Sequence, residues 1–201
     1  MRSMVVASAG AAVLLLAWAG PLPRLVPGSF AAHMSLHMAV VGIAVPILAL
    51  GLAPALLRRG HMPPPLVLPI AASLADLVVV WLWHAPALHH ASRMVSLILV
   101  LEQASFAAVA LLIWLVALTG PHLAGALTLF FTSMHMTLLG ALLALAPRPI
   151  YDGHGDGNWL GLDALADQQV GGVVMLAIGG IIYLGGGLAL AARVLNRPKS
   201  A

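Results

Sequence analysis

Long apolar runs separated by short polar or proline-rich breaks dominate the sequence. A helix that crosses a bilayer core of about 30 Å needs about 20 mostly apolar residues. We predict transmembrane helices over residues 4–20, 33–57, 64–84, 93–118, 122–146 and 168–192. The predicted fold class is therefore all-α: a polytopic membrane helix bundle of six spans, with residues 1–201 as one domain and 147–167 as an outer loop.

Turn-forming residues mark the breaks between the runs. Pro86 and Pro121 follow the third and fourth runs, and proline cannot continue a helical hydrogen-bond ladder. The first run has a second interpretation as a cleaved secretory signal, because residues 17–19 read Ala-Trp-Ala, the pattern of a cleavage site.

The basic residues predict the orientation of the spans. With alternating spans, six basic residues lie on one side: Arg2, Arg58, Arg59, Arg193, Arg197 and Lys199. The other side holds three: Arg24, Arg93 and Arg148. Because cytoplasmic loops are richer in Lys and Arg, we predict that both termini are cytoplasmic.

Composition excludes several classes of protein. Apolar residues make up 62% of the chain and charged residues only 7%, where a soluble domain has about a quarter. The net charge of +3 is spread over the loops, so we predict no nucleic-acid partner. Cysteine is absent, which excludes disulfides and thiolate metal ligands.

The sequence has nine histidines, and the predicted topology gathers most of them near the outer surface. His33 and His37 begin the second span, and His84 closes the third. His89 and His90 fall in the outer loop that follows. Ionisable side chains are costly in a bilayer and are usually functional there, so this clustering indicates a site.

Helical phase and depth extend that site. His33 and His37 are four residues apart and therefore share one helix face, which could hold one ion. Three methionines are predicted to lie in the same outer half of the bundle, and one histidine near the middle of the fifth span. They are Met34, Met38, Met175 and His135. Polar residues that could orient the imidazoles, or relay protons released on metal binding, are Asp76, Glu102, Asp167 and Gln168.

Imidazole and thioether ligands without thiolates suit copper, particularly Cu(I). The predicted copper ligands are His33, His37, His84, His135, Met34, Met38 and Met175. Haem between two histidines is the alternative cofactor, for example between His37 or His84 and His135. A transporter of ions or metal is a further alternative, and no catalytic motif favours an enzyme.

Several short motifs occur in a specific order along the chain. They are His33-Met34-x-x-His37-Met38, Trp83-His84-x-Pro86, Leu101-Glu102, Trp114, Pro147-x-x-Ile150-Tyr151 and Asp167-Gln168-Gln169-x-x-Gly172-x-x-Met175. This series resembles the multi-span CtaG family of cytochrome c oxidase assembly factors, found with caa-type oxidases. The resemblance covers the chain from residue 33 to the end of the sixth helix.

The resemblance implies a multi-pass protein of the bacterial inner membrane that assists assembly of a haem–copper oxidase. The implied step is delivery or insertion of copper, and the implied partners are oxidase subunits or other oxidase assembly factors. A homo-oligomer in the lipid bilayer is compatible with it. The positions that the resemblance carries over are His33, His37, His84, Glu102, Asp167, Gln168 and Met175.

Overall fold

The computed structural model describes residues 1–58, 65–151 and 160–196, and these residues form helices without a strand. The α-helices are α1 (Arg2–Ala19), α2 (Leu22–Leu25), α3 (Phe30–Met38), α4 (Val45–Arg58), α5 (Val67–Trp83), α6 (Pro86–Met94), α7 (Ser96–Thr119), α8 (His122–Ala144), α9 (Ala164–Gly179) and α10 (Gly185–Leu195). A 3₁₀ turn covers Val26–Gly28, and π-helical turns cover Ala39–Ala44 and Gly180–Leu184.

The predicted polytopic helical bundle is confirmed. Within the described residues, five helical segments are long and apolar enough to cross a membrane: Arg2–Gly28, Phe30–Arg58, Ser96–Thr119, His122–Ala144 and Ala164–Leu195. A sixth arises if α5 and α6, which meet at a 72° bend, form one span. The predicted outer loop 147–167 includes residues 152–159, which lie outside the described residues. The orientation of the termini stays a prediction.

The segment after the third predicted span is a helix, where the sequence predicted a loop. Pro86 opens α6, because the fixed φ of proline suits the first turn of a helix. Ala85 before it is extended, with φ −64° and ψ 132°, so the chain turns sharply between α5 and α6. His89 and His90 are therefore helical, and the fourth span begins at Ser96 rather than at residue 93.

Proline inside the second span is accommodated by a wider turn. Pro46 has no N–H to donate to the carbonyl of Gly42, one turn earlier. The π-helical turn Ala39–Ala44 lies just before this position, and helical structure continues from Phe30 to Arg58. One carbonyl of that turn, on Val41, accepts a hydrogen bond from the Tyr183 hydroxyl at 3.0 Å. Tyr183 lies in the second π-helical turn, so the two irregular turns are joined.

Small residues allow two helix pairs to pack closely. A Cβ atom on Gly10 of α1 would lie 2.4 Å from the Leu48 nitrogen of α4. In the same way, a Cβ on Gly172 of α9 would lie 2.5 Å from the Ala144 nitrogen of α8. Close approach of this kind is typical of membrane helices. Packing contacts rather than the hydrophobic effect drive their association, and small residues allow the backbones to come close enough to make those contacts.

We expect Gly10→Ala to separate α1 from α4 and to lower stability by about 1–3 kcal/mol, because the added methyl group meets backbone atoms that cannot move aside. The measurement is the thermal unfolding midpoint of the purified protein in detergent.

Gly185→Ala is the matched control, because a Cβ atom there meets nothing within 4 Å. Its midpoint should stay unchanged or rise slightly, since alanine favours helix over glycine by up to about 1 kcal/mol. Equal midpoints for the two variants would contradict the close packing of α1.

Candidate metal centre

The N-terminus of α3, which carries two histidines of the candidate site, is bound by a carboxylate from another helix. Asp167 of α9 accepts hydrogen bonds from the Ser29 hydroxyl at 2.7 Å and from the Phe30 amide at 2.6 Å. It also accepts one from the Ala31 amide at 3.4 Å. A carboxylate is stabilised there by the unpaired amides and by the positive end of the helix dipole. Asp167 therefore fixes where α3 begins.

His33 meets a histidine of α6 and a glutamate of α7 inside the bundle. Its Nε2 lies 3.4 Å from Oε1 of Glu102, and its ring centroid lies 4.6 Å from that of His89. One ligand atom from each of the three residues lies within 4.8 Å of the other two. All three side chains are buried, at 1% exposure or less. Gln103 donates a hydrogen bond to the second oxygen of Glu102 at 3.2 Å, which orients the carboxylate.

A second histidine pair adjoins this group. His37 lies one turn after His33, and its ring centroid is 5.6 Å from that of His84. The Nδ1 of His84 bonds to the Val80 carbonyl at 2.6 Å, which makes Nδ1 the protonated nitrogen and leaves Nε2 with a lone pair. His84 is close enough to His33 and Glu102 to interact with both electrostatically. We call His33, His37, His84, His89 and Glu102 the histidine cluster.

Several ring nitrogens of His33, His37 and His84 are buried without a hydrogen-bond partner among the described residues. They include both ring nitrogens of His37, the Nδ1 of His33 and the Nε2 of His84. A buried polar atom without a partner costs about 1–3 kcal/mol, and such atoms in native proteins call for an explanation such as a bound ion. The donor set of imidazoles and one carboxylate can coordinate a transition metal.

Tyr151 covers the cluster on the side of α6. Its ring centroid lies 4.3 Å from that of His89 and 4.7 Å from that of Phe30. Its hydroxyl donates a hydrogen bond to the His84 carbonyl at 2.8 Å. Burial raises the pKa of the Tyr151 hydroxyl, so it stays protonated and remains a donor.

His135 and Asp76, two other predicted site residues, form a separate polar pair. The Nε2 of His135 lies 3.0 Å from Oδ2 of Asp76, and the Thr132 hydroxyl donates to the same oxygen at 3.3 Å. Both side chains are buried between α5 and α8. In this arrangement the carboxylate orients His135, which does not join the group of His33, His89 and Glu102. Its role as a copper ligand stays a prediction.

The predicted methionine ligands Met34, Met38 and Met175 are fully buried in the apolar core. Met34 packs against α9, because its Cγ lies 3.0 Å from the point where a Cβ on Gly171 would stand. This contact lies on the face of α3 that meets α9, beside the face that carries His33. Thioether coordination by these three residues stays a prediction.

Gln168 binds backbone groups near the end of α8. Its Oε1 accepts a hydrogen bond from the Ile150 amide at 2.7 Å, and its Nε2 donates to the Leu143 carbonyl at 3.4 Å. These bonds hold residues 150 and 151 against α9, and Tyr151 with them. Both of these hydrogen bonds of the Gln168 side chain thus go to backbone groups, and its role beside the imidazoles stays a prediction.

His89 is the cluster member that the sequence reasoning missed as a ligand. The sequence from Pro86 to Met94 is too polar for a span and therefore resembled a loop. A usable signal was present, however, because His89 and Arg93 are four residues apart and Pro86 is a favoured first residue of a helix. In the structure His89, Ser92 and Arg93 form the buried face of α6.

Comparison with known proteins gives one result for nearly the whole chain. The family model described as cytochrome c oxidase caa3 assembly factor (Caa3_CtaG) matches residues 2–197. No curated protein and no solved structure gives a match.

We expect Asp167→Asn to lower the free energy of unfolding by about 1–3 kcal/mol, because hydrogen bonds to a charged acceptor at the α3 N-terminus are lost or weakened. Chemical denaturation in detergent measures this.

Asp163→Asn is the matched control. Asp163 is the exposed cap of α9 and accepts from the Ala166 amide at 2.8 Å, and asparagine caps helices about as well as aspartate. An equal decrease in the free energy of unfolding of both variants would contradict a larger stabilising role for the hydrogen bonds of Asp167.

Proposed function

Because the chain belongs to the cytochrome c oxidase caa3 assembly factor family, we propose that its histidine cluster binds copper and that the protein delivers this copper to the oxidase. The single observation that carries the proposal is the buried convergence of His33, His89 and Glu102. The metal is cargo in this proposal, and the protein catalyses no reaction.

The chemistry of the donors supports copper. Imidazole suits copper, zinc, iron and nickel, whereas carboxylate and water alone suit magnesium or calcium. Four imidazoles adjoin one carboxylate in the cluster, and the chain has no cysteine that an oxidising compartment could convert to a disulfide. Among the metals that imidazole binds, a haem–copper oxidase takes up copper as an ion, whereas its iron arrives within haem.

The spacing of the donors also supports a bound ion. Metal–nitrogen bonds of about 2 Å place neighbouring donor atoms of a tetrahedral site about 3.3 Å apart. The donor atoms of His33, His89 and Glu102 lie within 4.8 Å of one another, so a contraction of up to about 1.5 Å would complete the coordination. His37 and His84 stand beside this group with nitrogen atoms available as a further ligand.

The membrane environment suits transfer to an oxidase that is itself membrane-embedded. The cluster lies inside the helical bundle, where bilayer and protein exclude water and competing ligands. We place the protein in the bacterial inner membrane and propose oxidase subunits as its partners. Haem is the alternative cofactor, and movement of metal across a proteoliposome membrane would instead indicate a transporter.

The first test is copper content. Purified protein loaded with Cu(I) should retain copper after dialysis, and the double variant His33→Ala/His89→Ala should lose it. Glu102→Gln should weaken binding by about 10–100-fold, because the amide removes the negative charge beside the ion. Elemental analysis gives the copper-to-protein ratio, and an absorption spectrum shows whether haem is present instead.

His122→Gln is the control for this test. It removes a histidine that begins α8 and belongs neither to the cluster nor to the predicted copper ligands. Copper content should remain at the level of the unsubstituted protein. The assignment of copper to the histidine cluster would be overturned if the double variant retained copper. It would also be overturned if the unsubstituted protein showed the absorption band of a reducible haem.

The second test is assembly. In a bacterial host whose caa-type oxidase depends on this protein, we expect the double variant to accumulate oxidase that contains haem but is depleted in copper. Metal analysis of the purified oxidase measures this, and immunoblotting checks that the variant is present in the membrane. Normal copper in that oxidase would refute delivery by the cluster.

A further inference from the structure

A cavity of about 290 Å³ lies beside α6. Its lining residues are Pro86, His89, His90, Arg93, Ile150 and Tyr151. Pro86, His90 and Ile150 are exposed, whereas His89, Arg93 and Tyr151 are buried. The cavity is therefore lined both by surface residues and by a buried member of the histidine cluster, His89.

One residue belongs to both the cavity and the proposed metal site. His89 lines the cavity and also contributes a ligand atom within 4.8 Å of His33 and Glu102. His90 follows it in the chain and is exposed. Because successive helical residues differ by about 100° around the axis, one imidazole faces inward while the next lies at the surface.

We propose that this cavity is the route by which copper reaches and leaves the cluster, with His90 as the surface ligand that captures the ion and His89 as the ligand that receives it. The proposal rests on the copper-binding function proposed above and names the path of that same metal. No bond other than coordination bonds forms or breaks, and the ion moves from one neutral imidazole to the next.

The need for ligands along the path supports this route. A bare cation cannot cross an apolar protein wall without a large desolvation cost, so each step requires a donor atom. A buried metal site also requires a path through which the ion can arrive. Two adjacent imidazoles, one exposed and one buried, line the 290 Å³ cavity and can supply donors at the surface and beside the cluster.

The charge of Arg93 in the cavity is partly offset by a nearby carboxylate. Arg93 donates a hydrogen bond from Nη2 to the Pro27 carbonyl at 2.8 Å and lies close enough to Asp167 to interact with it electrostatically. The guanidinium is thus held toward the 3₁₀ turn that precedes α3. The attraction of Asp167 reduces the repulsion between Arg93 and a cation that passes His90 and His89.

The Tyr151 side chain lies between the cavity and the histidine cluster. Its ring lines the cavity and contacts His89, and its hydroxyl donates a hydrogen bond to the His84 carbonyl. Loss of the ring should widen the path, whereas loss of the hydroxyl alone should leave the ring contact in place.

The test is the rate of copper loading. Apo-protein in detergent is mixed with a Cu(I)–chelator complex, and the change in chelator absorbance follows transfer to the protein. We expect His90→Ala to slow loading by about tenfold while the final copper content stays the same. Tyr151→Ala should speed loading, and Tyr151→Phe should leave the rate unchanged.

His122→Ala is the control, because His122 begins α8 at the opposite end of the bundle from α6. Its loading rate should match that of the unsubstituted protein. An unchanged rate in His90→Ala would overturn the route even though copper binds. Absence of copper from the unsubstituted protein would instead overturn the proposed function, so the two failures are distinguishable.

A second measurement blocks the cavity directly. Because the chain contains no cysteine, His90→Cys creates a single thiol that a bulky maleimide can label. Labelling should stop loading. Leu145→Cys is the matched control, because Leu145 is 81% exposed and lies where α8 returns to the cluster end of the bundle. Equal loading of both labelled proteins would refute the route.

Discussion

The binding of Asp167 to the N-terminus of α3 is the contact on which the arrangement of the histidines depends. A helix that starts inside a membrane protein has amides with no water to bind, and each such group is costly unless a partner is supplied. The carboxylate of α9 supplies it by bonding to the Ser29 hydroxyl and the Phe30 amide. The start of α3 is thereby fixed against α9, and the level of His33 and His37 in the bundle follows from it.

The fold was largely predictable because the bilayer imposes one length and one composition on every span. Helix phase and depth placed His33, His37, His84 and Glu102 in one half of the bundle, and the structure brings these side chains together, while their role as metal ligands stays a prediction. His89 could not be found in this way, because α6 lacks the apolar composition that identified the other helices. The spacing of His89 and Arg93 indicates a helix face, but the partners of that face follow only from the tertiary structure.

The roles of two residues show a different limit of sequence reasoning. Depth correctly placed Asp167 and Gln168 near the level of the histidines, but depth does not specify a partner. In the structure both bind backbone groups of neighbouring segments. A carboxylate or an amide can bind an imidazole, an ion or a peptide group. Which of these partners Asp167 and Gln168 bind depends on the tertiary contacts of α9.

The hydrogen bond between Tyr183 and the Val41 carbonyl has a mechanical consequence for the site. The segment Ala164–Leu195 holds the second span at two points, through Asp167 at the start of α3 and through Tyr183 in the π-helical turn after it. His33 and His37 lie between these two points, so their backbone is fixed on both sides. We therefore expect any contraction of the cluster to come from the opposite side, by movement of α6 and of the Glu102 side chain.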